Sequence, residues 1–549
     1  MIPTIRIHRS GMLIYSADGV NGETLLKRII AAGVFFDAPC GGQGKCGKCR
    51  VSMQPDGEQV LACRTTVDGD MDVYLPELQD MTIAGAGGVS GATGAVGAVG
   101  VSGATGAVGA VGVSSVDISG AAGAGSAAGE GDAGGAVQKK LGVAIDIGTT
   151  TVVAHLTDIA TGTRIATASG VNAQRPYGAD VISRIQYCSD NGHETLTQLI
   201  RYQLATLIRS TCATSGANTG DIVYVSIAAN TIMEHLAAGY SPVSMGVVPF
   251  TTVSLFGGEM PAWEGLPVAE GAKIYFAPAI SAYVGGDITA GMLAASLEDN
   301  MGPAVYLDIG TNGEIAMKTG DTYYCCATAA GPAFEGAEIT MGMAAVTGAI
   351  SHVHWDEDLH FSVIGDTLPT GLCGSGLLDA LAVLLETGAV DESGRLLGAD
   401  EIDHDIAAHI GEIDGKNVFW LACFDPGVYM TAADIRKLQL AKAAIAAGIQ
   451  TLLVHSGITG DQVKSFVLAG GFGSYMDQFS AARIGLFPKS FLPVSQTLGN
   501  TAGEGAAIAL CSESARATLS DIRKRCEYIE LSSSPVFNEQ FVEQMTFED

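Results

Sequence analysis

The apolar positions of this chain follow the same strand-and-turn pattern at two distant places. "LGVAIDIGTTTVVAHLTDIATGTRIATAS", beginning at Leu141, predicts three strands joined by two turns. "AVYLDIGTNGEIAMKTGDTYYCCAT", beginning at Ala304, repeats this layout, and its Asp308 lies 162 residues after Asp146. Stretches with helical spacing follow each copy, such as "GADVISRIQYC" and "CGSGLLDALAVLLETGAV". Two copies of one unit predict a duplicated domain with a cleft between its halves.

The first 84 residues predict a separate, smaller α+β unit. "TIRIHRS" and "MLIYSADG" alternate like the two strands of a hairpin, and "ETLLKRIIAAGV" has the spacing of a helix. A cysteine-rich loop, the strand "KCRVSMQP" and the strand "DMDVYLPEL" follow. This order of strand, strand, helix, loop and strands is that of a β-grasp fold, which we predict for residues 1–84.

A segment of low complexity separates these two parts. Residues 89–112 are two perfect copies of "VSGATGAVGAVG", and Gly/Ala/Ser-rich sequence continues beyond them. Without aromatic residues, and without charge before Asp117, the segment cannot bury enough surface to offset its chain entropy. We therefore predict a flexible linker, with an r.m.s. reach of about 40 Å for ~50 residues. The predicted division is 1–84 for the β-grasp unit, 85–139 for the linker, 140–300 and 301–535 for the two halves, and 536–549 for a C-terminal tail.

Composition and charge exclude several classes of function. The 549 residues are 47% hydrophobic and 16% charged, as in folded globular proteins. With 58 acidic against 29 basic residues, the formal charge of -29 argues against binding to nucleic acid or to an anionic membrane surface. No apolar run of eighteen residues and no signal-peptide pattern is found, so we expect a cytoplasmic protein without membrane spans.

Four of the twelve cysteines form a cluster near the N-terminus. In "CGGQGKCGKCR" and "VLACRT", the cysteines Cys40, Cys46, Cys49 and Cys63 have the spacing C-x5-C-x2-C-x13-C. Thiolates bind soft metals, and a glycine-rich loop lets backbone N–H groups approach the sulfurs. Plant-type [2Fe–2S] proteins use the similar C-x4-C-x2-C with a distant fourth cysteine. Structural zinc, the alternative, usually needs two C-x2-C pairs, and only Cys46 and Cys49 form one, so the pattern favours a [2Fe–2S] cluster.

The two "DIGT" turns carry the second candidate chemistry. Asp146 and Asp308 each end a predicted strand and precede a Gly-Thr turn. Backbone N–H groups and hydroxyls of such a turn can bind phosphate oxygens, while the carboxylates hold Mg²⁺ or position water. In "VKSFVLAGGFGSYM", a third strand ends at Gly470 and Gly471, where a backbone without side chains lets adenine or ribose approach.

Two phosphate turns and a Gly-Gly element resemble the actin, sugar-kinase and Hsp70 superfamily. The resemblance implies RNase H-like halves, with Asp146 and Asp308 flanking Mg-ATP in the cleft between them. The residues that it places around the nucleotide are Gly148, Thr149, Thr150, Gly310, Thr311, Asn312, Gly313, Gly470 and Gly471.

A [2Fe–2S] unit, a linker and such an ATPase together resemble the reductive activators of corrinoid-dependent methyltransferases. The motifs that carry this resemblance are "PCGGQGKCGKC", "LACRT", "AIDIGTTTV", "PYGADVISRI", "YLDIGTNGEI", "AAGPAFEGAEI" and "LAGGFG". It implies a corrinoid protein of a methyltransferase system as partner, whose cobalt the activator returns from Co(II) to Co(I), and a low-potential electron donor. The resemblance also allows a homodimer, and no pattern in the sequence indicates whether one forms.

Physical chemistry agrees with this role, and two other functions stay open. Plant-type clusters lie near about -400 mV, and each ~59 mV of one-electron mismatch is a tenfold penalty, so ATP would drive an uphill transfer. One alternative is an ATP-driven activator of another low-potential enzyme. The other is a small-molecule kinase with a redox-sensing ferredoxin domain.

Three further features have two interpretations each. His352, His354 and His360 in "SHVHWDEDLH" suggest either a metal site or, more in keeping with the alternating polar residues, an exposed hairpin. Asp287 in "VGGDITAG" faces the cleft or caps a helix. Glu335 in "GPAFEGAEI" has either a functional role, orienting the attacking water or contacting the partner, or a structural role.

Overall fold

The computed structural model describes residues 3–9, 12–18, 20, 22–31, 44, 49–54, 57, 59–76, 140–423 and 427–547. The predicted linker, Cys40 and Cys46 lie outside these residues. The strands are β1 Thr4–Arg9, β2 Met12–Asp18, β3 Arg50–Ser52, β4 Gln59–Leu61, β5 Met71–Tyr74, β6 Leu141–Ile147, β7 Thr151–Asp158, β8 Arg164–Val171, β9 Ile222–Ala229, β10 Glu259–Pro261, β11 Lys273–Phe276, β12 Ala304–Ile309, β13 Gly313–Thr319, β14 Thr322–Thr328, β15 Ala349–Asp356, β16 Asp358–Val363, β17 Gly371–Leu372, β18 Ile410–Ile413, β19 Lys416–Ala422, β20 Val428–Thr431, β21 Ser465–Ala469, β22 Ser495–Thr497 and β23 Cys526–Tyr528. The helices are α1 Leu25–Ala31, α2 Val181–Asn191, α3 Glu194–Ser215, α4 Thr231–Ala238, α5 Gly286–Ala294, α6 Gly374–Glu386, α7 Ala432–Ser456, α8 Gly470–Gly473, α9 Gln478–Arg483, α10 Thr501–Cys511, α11 Glu513–Arg525 and α12 Pro535–Glu543.

The N-terminal strands form a five-stranded mixed sheet in the order β2-β1-β5-β3-β4. β1 and β2 form the predicted antiparallel hairpin, and β5 pairs parallel to β1. Alternate residues of β1, Ile5 and Ile7, are buried together with Leu25 and Ile29 of α1. The period-2 and helical patterns read in the sequence therefore meet in one small core.

Two six-stranded sheets that share a five-stranded core topology form the body of the protein. In the first, of order β10-β11-β9-β6-β7-β8, β6, β7 and β8 are an antiparallel meander, and β9 pairs parallel to β6. In the second, of order β22-β21-β12-β13-β14-β23, β12, β13 and β14 repeat the meander, and β21 pairs parallel to β12. The chain is thus a multidomain α/β protein, and Asp146 and Asp308 occupy equivalent strands.

Helices α5 and α10 pack closely against each other and connect the two sheets. A Cβ on Gly505 of α10 would collide with the carbonyl oxygen of Ala290 on α5. The hydroxyl of Tyr306, on β12, approaches Gly291 of α5 in the same way. Glycine at positions 291 and 505 therefore permits contacts that a side chain would prevent.

The longest helix, α7, lies in the core of the second half. Within the described part of the chain it alone is long and apolar enough to cross a membrane, with a mean hydropathy of 1.2, and 78% of that apolar window is buried inside the protein. Helix α12, in the predicted tail, packs on α7. Beyond α12, Lys442 Nζ of α7 donates to the carbonyl oxygen of Thr546 at 2.8 Å.

Candidate functional site

Three aspartates come together where the two sheets face each other. Asp146 and Asp308 lie near the ends of β6 and β12, and Asp287 is the second residue of α5. Burial raises the pKa of Asp146 to about 7 and that of Asp308 to about 6. Burial, followed by the nearby charges of Asp308 and Asp146, raises the pKa of Asp287 to about 8. Asp287 therefore belongs to the acidic cluster of the cleft.

The first residues of α10 orient the two strand-end aspartates. Asn500 caps α10, since its Oδ1 accepts from the N–H of Gly503 at 2.7 Å, and its Nδ2 donates to Asp146 Oδ2 at 2.8 Å. Tyr306 donates its hydroxyl to Asp308 Oδ2 at 3.2 Å, and this hydroxyl lies 2.7 Å from Thr501 Oγ1. The start of α10 thus contacts Asp146 of the first half directly and Asp308 of the second half through Tyr306.

Two more buried carboxyl groups lie beside this cluster. Glu314 on β13 lies opposite Asp308, and burial, followed by the charges of Asp287 and Asp308, raises its pKa well above the usual value. Glu234 on α4 is fully buried, and neither carboxyl oxygen has a hydrogen-bond partner among the described residues. A Cβ on Gly286, at the start of α5, would collide with Glu234 Oε1. The cleft is strongly acidic on the side of α5.

The donor set fits a hard divalent cation. Carboxylate oxygens are preferred ligands of Mg²⁺, which often keeps several waters and binds through one or two carboxylates plus substrate phosphates. Among the residues that the structure describes, no group of three or more His, Cys, Asp or Glu side chains could hold a metal ion by itself. The cleft therefore suits an ion that completes its coordination with water and phosphate.

In the turn between β6 and β7, three successive carbonyl groups are bound by the protein. The carbonyl oxygens of Gly148 and Thr150 accept from the side chain and the backbone of Asn172, each at 2.8 Å. The carbonyl oxygen of Thr149 accepts from the guanidinium of Arg184 at 2.5 Å. The predicted Gly-Thr-Thr turn is thus held from its carbonyl side.

In the second turn, between β12 and β13, two of the predicted residues are in different environments. A Cβ on Gly310 would meet no heavy atom of the described residues within 4 Å, whereas one on Gly313 would lie 2.7 Å from Thr328 Oγ1. The N–H of Gly310 donates to the carbonyl of Asn312 at 2.9 Å, which closes the turn. Gly310 therefore leaves open space for a ligand, and Gly313 is required by packing.

Glu335 supports this second turn. Its Oε1 accepts from the hydroxyl of Thr311 at 2.8 Å, and burial raises its pKa. It is the last residue of the short 3-10 helix Pro332–Glu335, which also contains Phe334, whose ring stacks on that of Phe472 with centroids 5.2 Å apart. This contact supports the structural role considered for Glu335.

Gly470 and Gly471, which follow β21, differ in whether the surrounding structure leaves room for a side chain. Gly470 has φ +88, and a Cβ there would collide with Asp308 Oδ1. A Cβ on Gly471 would meet no atom within 4 Å in the part of the chain that the structure describes. Gly470 makes room for the acidic cluster, while Gly471 leaves its backbone open to a ligand.

Two of the four clustered cysteines lie side by side. The Sγ atoms of Cys49 and Cys63 are 3.2 Å apart and both residues are buried. Two sulfur ligands of one tetrahedral metal, each ~2.3 Å from it, lie roughly 3.7 Å apart, so the pair fits a shared metal atom. Arg64 donates to the carbonyl of Gly44, in the cysteine loop, at 2.9 Å. Since Cys40 and Cys46 lie outside the described residues, the four-cysteine set stays a prediction.

The histidine-rich segment forms the hairpin of β15 and β16. The rings of His354 and His360 stack across it, with centroids 5.2 Å apart. His352 Nδ1 lies 3.3 Å from Asp379 Oδ2. This hydrogen bond and the negative charge of Asp379 raise the pKa of His352. These contacts match the exposed-hairpin interpretation.

Several residues of the cleft were absent from the sequence prediction. Asn172, Arg184 and Asn500 contact the first turn or Asp146 from positions 24, 35 and 354 residues away. Tyr306 and Glu314 lie close to Asp308 in the sequence and contact it from β12 and β13. Only Arg184 gave a local signal, because it lies on the buried stripe of α2 with Val181, Ile185 and Cys188. A charged residue in an apolar stripe indicates a special partner.

Comparison with known proteins places this geometry in a family. The model of the RACo middle region matches residues 141–300, and that of the C-terminal domain of RACo, the ASKHA domain, matches residues 303–549. The corrinoid activation enzyme RamQ of Eubacterium limosum is 32% identical over 585 residues, which cover 96% of this chain and 97% of that protein.

Two further proteins agree. The [Co(II) methylated amine-specific corrinoid protein] reductase of Methanosarcina barkeri is 26% identical over 439 residues, covering 74% of this chain and 77% of that protein. A solved structure described as a reductive activator for corrinoid, iron-sulfur protein superposes with a TM-score of 0.67 at 27% identity, covering 99% of this chain and 98% of that chain. The resemblance to reductive activators drawn from the motifs is confirmed, and the chain belongs to the RACo family.

Proposed function

We propose that this protein reductively activates a corrinoid protein, reducing inactive Co(II) to Co(I) with one electron in a step driven by ATP. The observation that carries the proposal is that one chain of the RACo family combines a buried cysteine pair with an acidic cleft flanked by two Gly-Thr turns. The names of its relatives, a corrinoid activation enzyme and a Co(II) corrinoid protein reductase, support the same substrate class.

The cleft is the proposed site of Mg-ATP. Bound Mg²⁺ would supply positive charge that offsets the charge of the phosphates. Asp146 and Asp308 would hold this ion or its waters, with Asp287 as a third carboxylate on α5. The backbone of Gly148, Thr149 and Thr150 would bind phosphates from one half. The backbone of Thr311 and Asn312 would do so from the other half, where Gly310 leaves room for the phosphates, and Gly471 would lie against the adenosine.

The N-terminal sheet is the proposed ferredoxin-like β-grasp domain, spanning residues 1–84. Cys40, Cys46, Cys49 and Cys63 would hold a [2Fe–2S] cluster, which supplies one low-potential electron at a time. Cys49 and Cys63, already adjacent, would bind the same iron atom. Arg64 binds the carbonyl of Gly44, which precedes Cys46 in the sequence by two residues.

The linker of residues 85–139 would let this domain collect an electron from a low-potential donor and deliver it to the cobalt. One electron leaves the reduced domain and one Co(II) becomes Co(I), so the step is balanced. Residues of α5 and α10 contact both the acidic cluster and each other. A change of nucleotide in the cleft would therefore move the two halves, residues 140–300 and 301–535, relative to one another.

The proposal is tested with full-length protein, reduced under anaerobic conditions, and a Co(II) corrinoid protein. Cobalt absorbance is followed with and without Mg-ATP, using a reductant that alone leaves Co(II) unreduced. We expect Co(I) only with Mg-ATP, and its loss in Asp308→Ala and Cys63→Ser. The matched controls are Asp190→Ala, at an exposed aspartate, and Cys423→Ser, at an exposed thiol. Co(I) formation that survives both site variants would contradict the proposal.

A further inference from the structure

Arg184 is an unusual buried cation beside the first phosphate turn. Its guanidinium is fully buried and donates to the carbonyl of Gly178 at 3.0 Å, to Gln174 Oε1 at 3.2 Å, to Met233 Sδ at 3.0 Å and to the carbonyl of Thr149 at 2.5 Å. All four partners are neutral. A buried charge is costly unless it is compensated, and burial lowers the pKa of Arg184 to about 9. A group kept under these conditions is expected to serve the site that it contacts.

The contacts of Arg184 determine how the turn faces the cleft. In a trans peptide, the N–H of a residue points opposite to the carbonyl of the residue before it. The carbonyls of Gly148 and Thr149 are bound by Asn172 and Arg184 on one side of the turn. The N–H groups of Thr149 and Thr150 therefore point to the opposite side. Successive N–H groups that point in one direction form an anion-binding concavity.

We propose that Arg184 is a positioning residue of the nucleotide site: by binding the carbonyl of Thr149 it aims the turn's N–H groups at the nucleotide phosphates, and it supplies a buried positive charge behind them. The inference rests on the proposed nucleotide function and adds to it a specific source of phosphate affinity. The ligand class is a nucleoside di- or triphosphate.

The geometry explains why arginine occupies this position. Its planar fork contacts the turn at Thr149, the 174–178 segment and α4 at the same time. A lysine would keep the charge, but its single ammonium cannot bind these four acceptors, which come from three directions. Arg184→Lys therefore keeps the positive charge but loses the hydrogen bonds that orient the turn. Arg184→Met removes both the charge and the hydrogen bonds while filling similar space.

The test measures binding of Mg-ADP and of adenosine to the full-length chain by titration calorimetry, with adenosine measured by competition. We expect Arg184→Lys to weaken Mg-ADP binding at least tenfold and Arg184→Met to weaken it further, with adenosine affinity unchanged within twofold. Arg201→Lys is the matched control, because Arg201 also donates to two backbone carbonyls, those of Ala237 and Ala238, away from the turn. Its Mg-ADP affinity should change less than twofold.

The outcomes are distinguishable. If wild-type protein binds Mg-ADP and Arg184→Lys binds it equally well, the inference fails and the proposed function stands. Equal weakening of Mg-ADP and adenosine would mean a structural role only and would also overturn it. If the Arg184 variants do not fold, Asn172→Ala replaces them, because it removes the donor to the carbonyl of Gly148. It should weaken Mg-ADP binding and leave adenosine binding unchanged, and equal weakening of both would overturn the inference. Wild-type protein that binds no Mg-ADP would overturn the proposed function and this inference together.

Discussion

Replacing Asp287 with asparagine is expected to stabilise the nucleotide-free protein near pH 7.5 much more than at pH 5. The pKa of Asp287 rises from 3.8 to about 8 because of burial and the charges of Asp308 and Asp146. A carboxyl whose pKa is raised by folding contributes stability below the unfolded pKa, and this is lost as pH rises towards the folded pKa. Asparagine does not titrate, so it avoids this loss.

The magnitude follows from the pKa difference. Each pH unit between the two pKa values costs about 1.4 kcal/mol, so the interval from pH 5 to pH 7.5 costs about 3 kcal/mol. Asp287 retains some solvent contact, and we reduce this figure by roughly half for screening, to ~1.5 kcal/mol. The advantage of Asp287→Asn should grow by this amount over the interval.

The assay is urea unfolding of nucleotide-free protein in EDTA at pH 5.0, 6.0 and 7.5. Asp299→Asn, at an exposed aspartate, is the matched control and should show no growing advantage. The same Asp287→Asn protein should lose ATP-dependent Co(I) formation. An advantage that stays constant with pH, or that grows towards pH 5, would refute the electrostatic explanation of the acidic cluster.

Three further results are expected. Gly470→Ala should lower the free energy of unfolding by about 1–3 kcal/mol, because φ is +88 and Asp308 lies where the Cβ would be. Gly471→Ala should lower it by under ~0.5 kcal/mol in thermal unfolding and should nevertheless weaken Mg-ADP binding. Asn500→Ala should cost about 1–2 kcal/mol through the lost cap of α10 and lower ATP hydrolysis; unchanged hydrolysis would deny its role beside Asp146. Cys49→Ser should abolish the visible absorbance of the iron–sulfur cluster while Mg-ADP affinity stays within twofold, and an intact spectrum would exclude Cys49 as a ligand.

The sequence revealed the repeated elements because their signals are local. Each meander is a set of apolar runs separated by glycine turns, and Asp146 and Asp308 occupy the same place in each copy. Duplication then made their meeting predictable, since equivalent strand ends face one cleft. Cys49 and Cys63 were likewise predictable as neighbours from the spacing of the cluster.

The rest of the cleft depends on contacts over long distances in the sequence. Asn500 reaches Asp146 across 354 residues, and in the sequence it looks like an ordinary helix cap. Gly313 has the look of a phosphate-turn glycine, yet the tight packing of β13 on Thr328 requires it. Periodicity and turn chemistry report which face is buried, and they do not report which distant side chain lies there.

The most direct test of the central claim is a single turnover without external donor. The reduced, donor-free protein is mixed with excess Co(II) corrinoid protein, and the Co(I) formed per chain is counted from its absorbance. We predict up to one Co(I) per chain with Mg-ATP and almost none without it, because one [2Fe–2S] cluster carries one electron. Equal Co(I) yields with and without Mg-ATP, or none under either condition, would contradict the account.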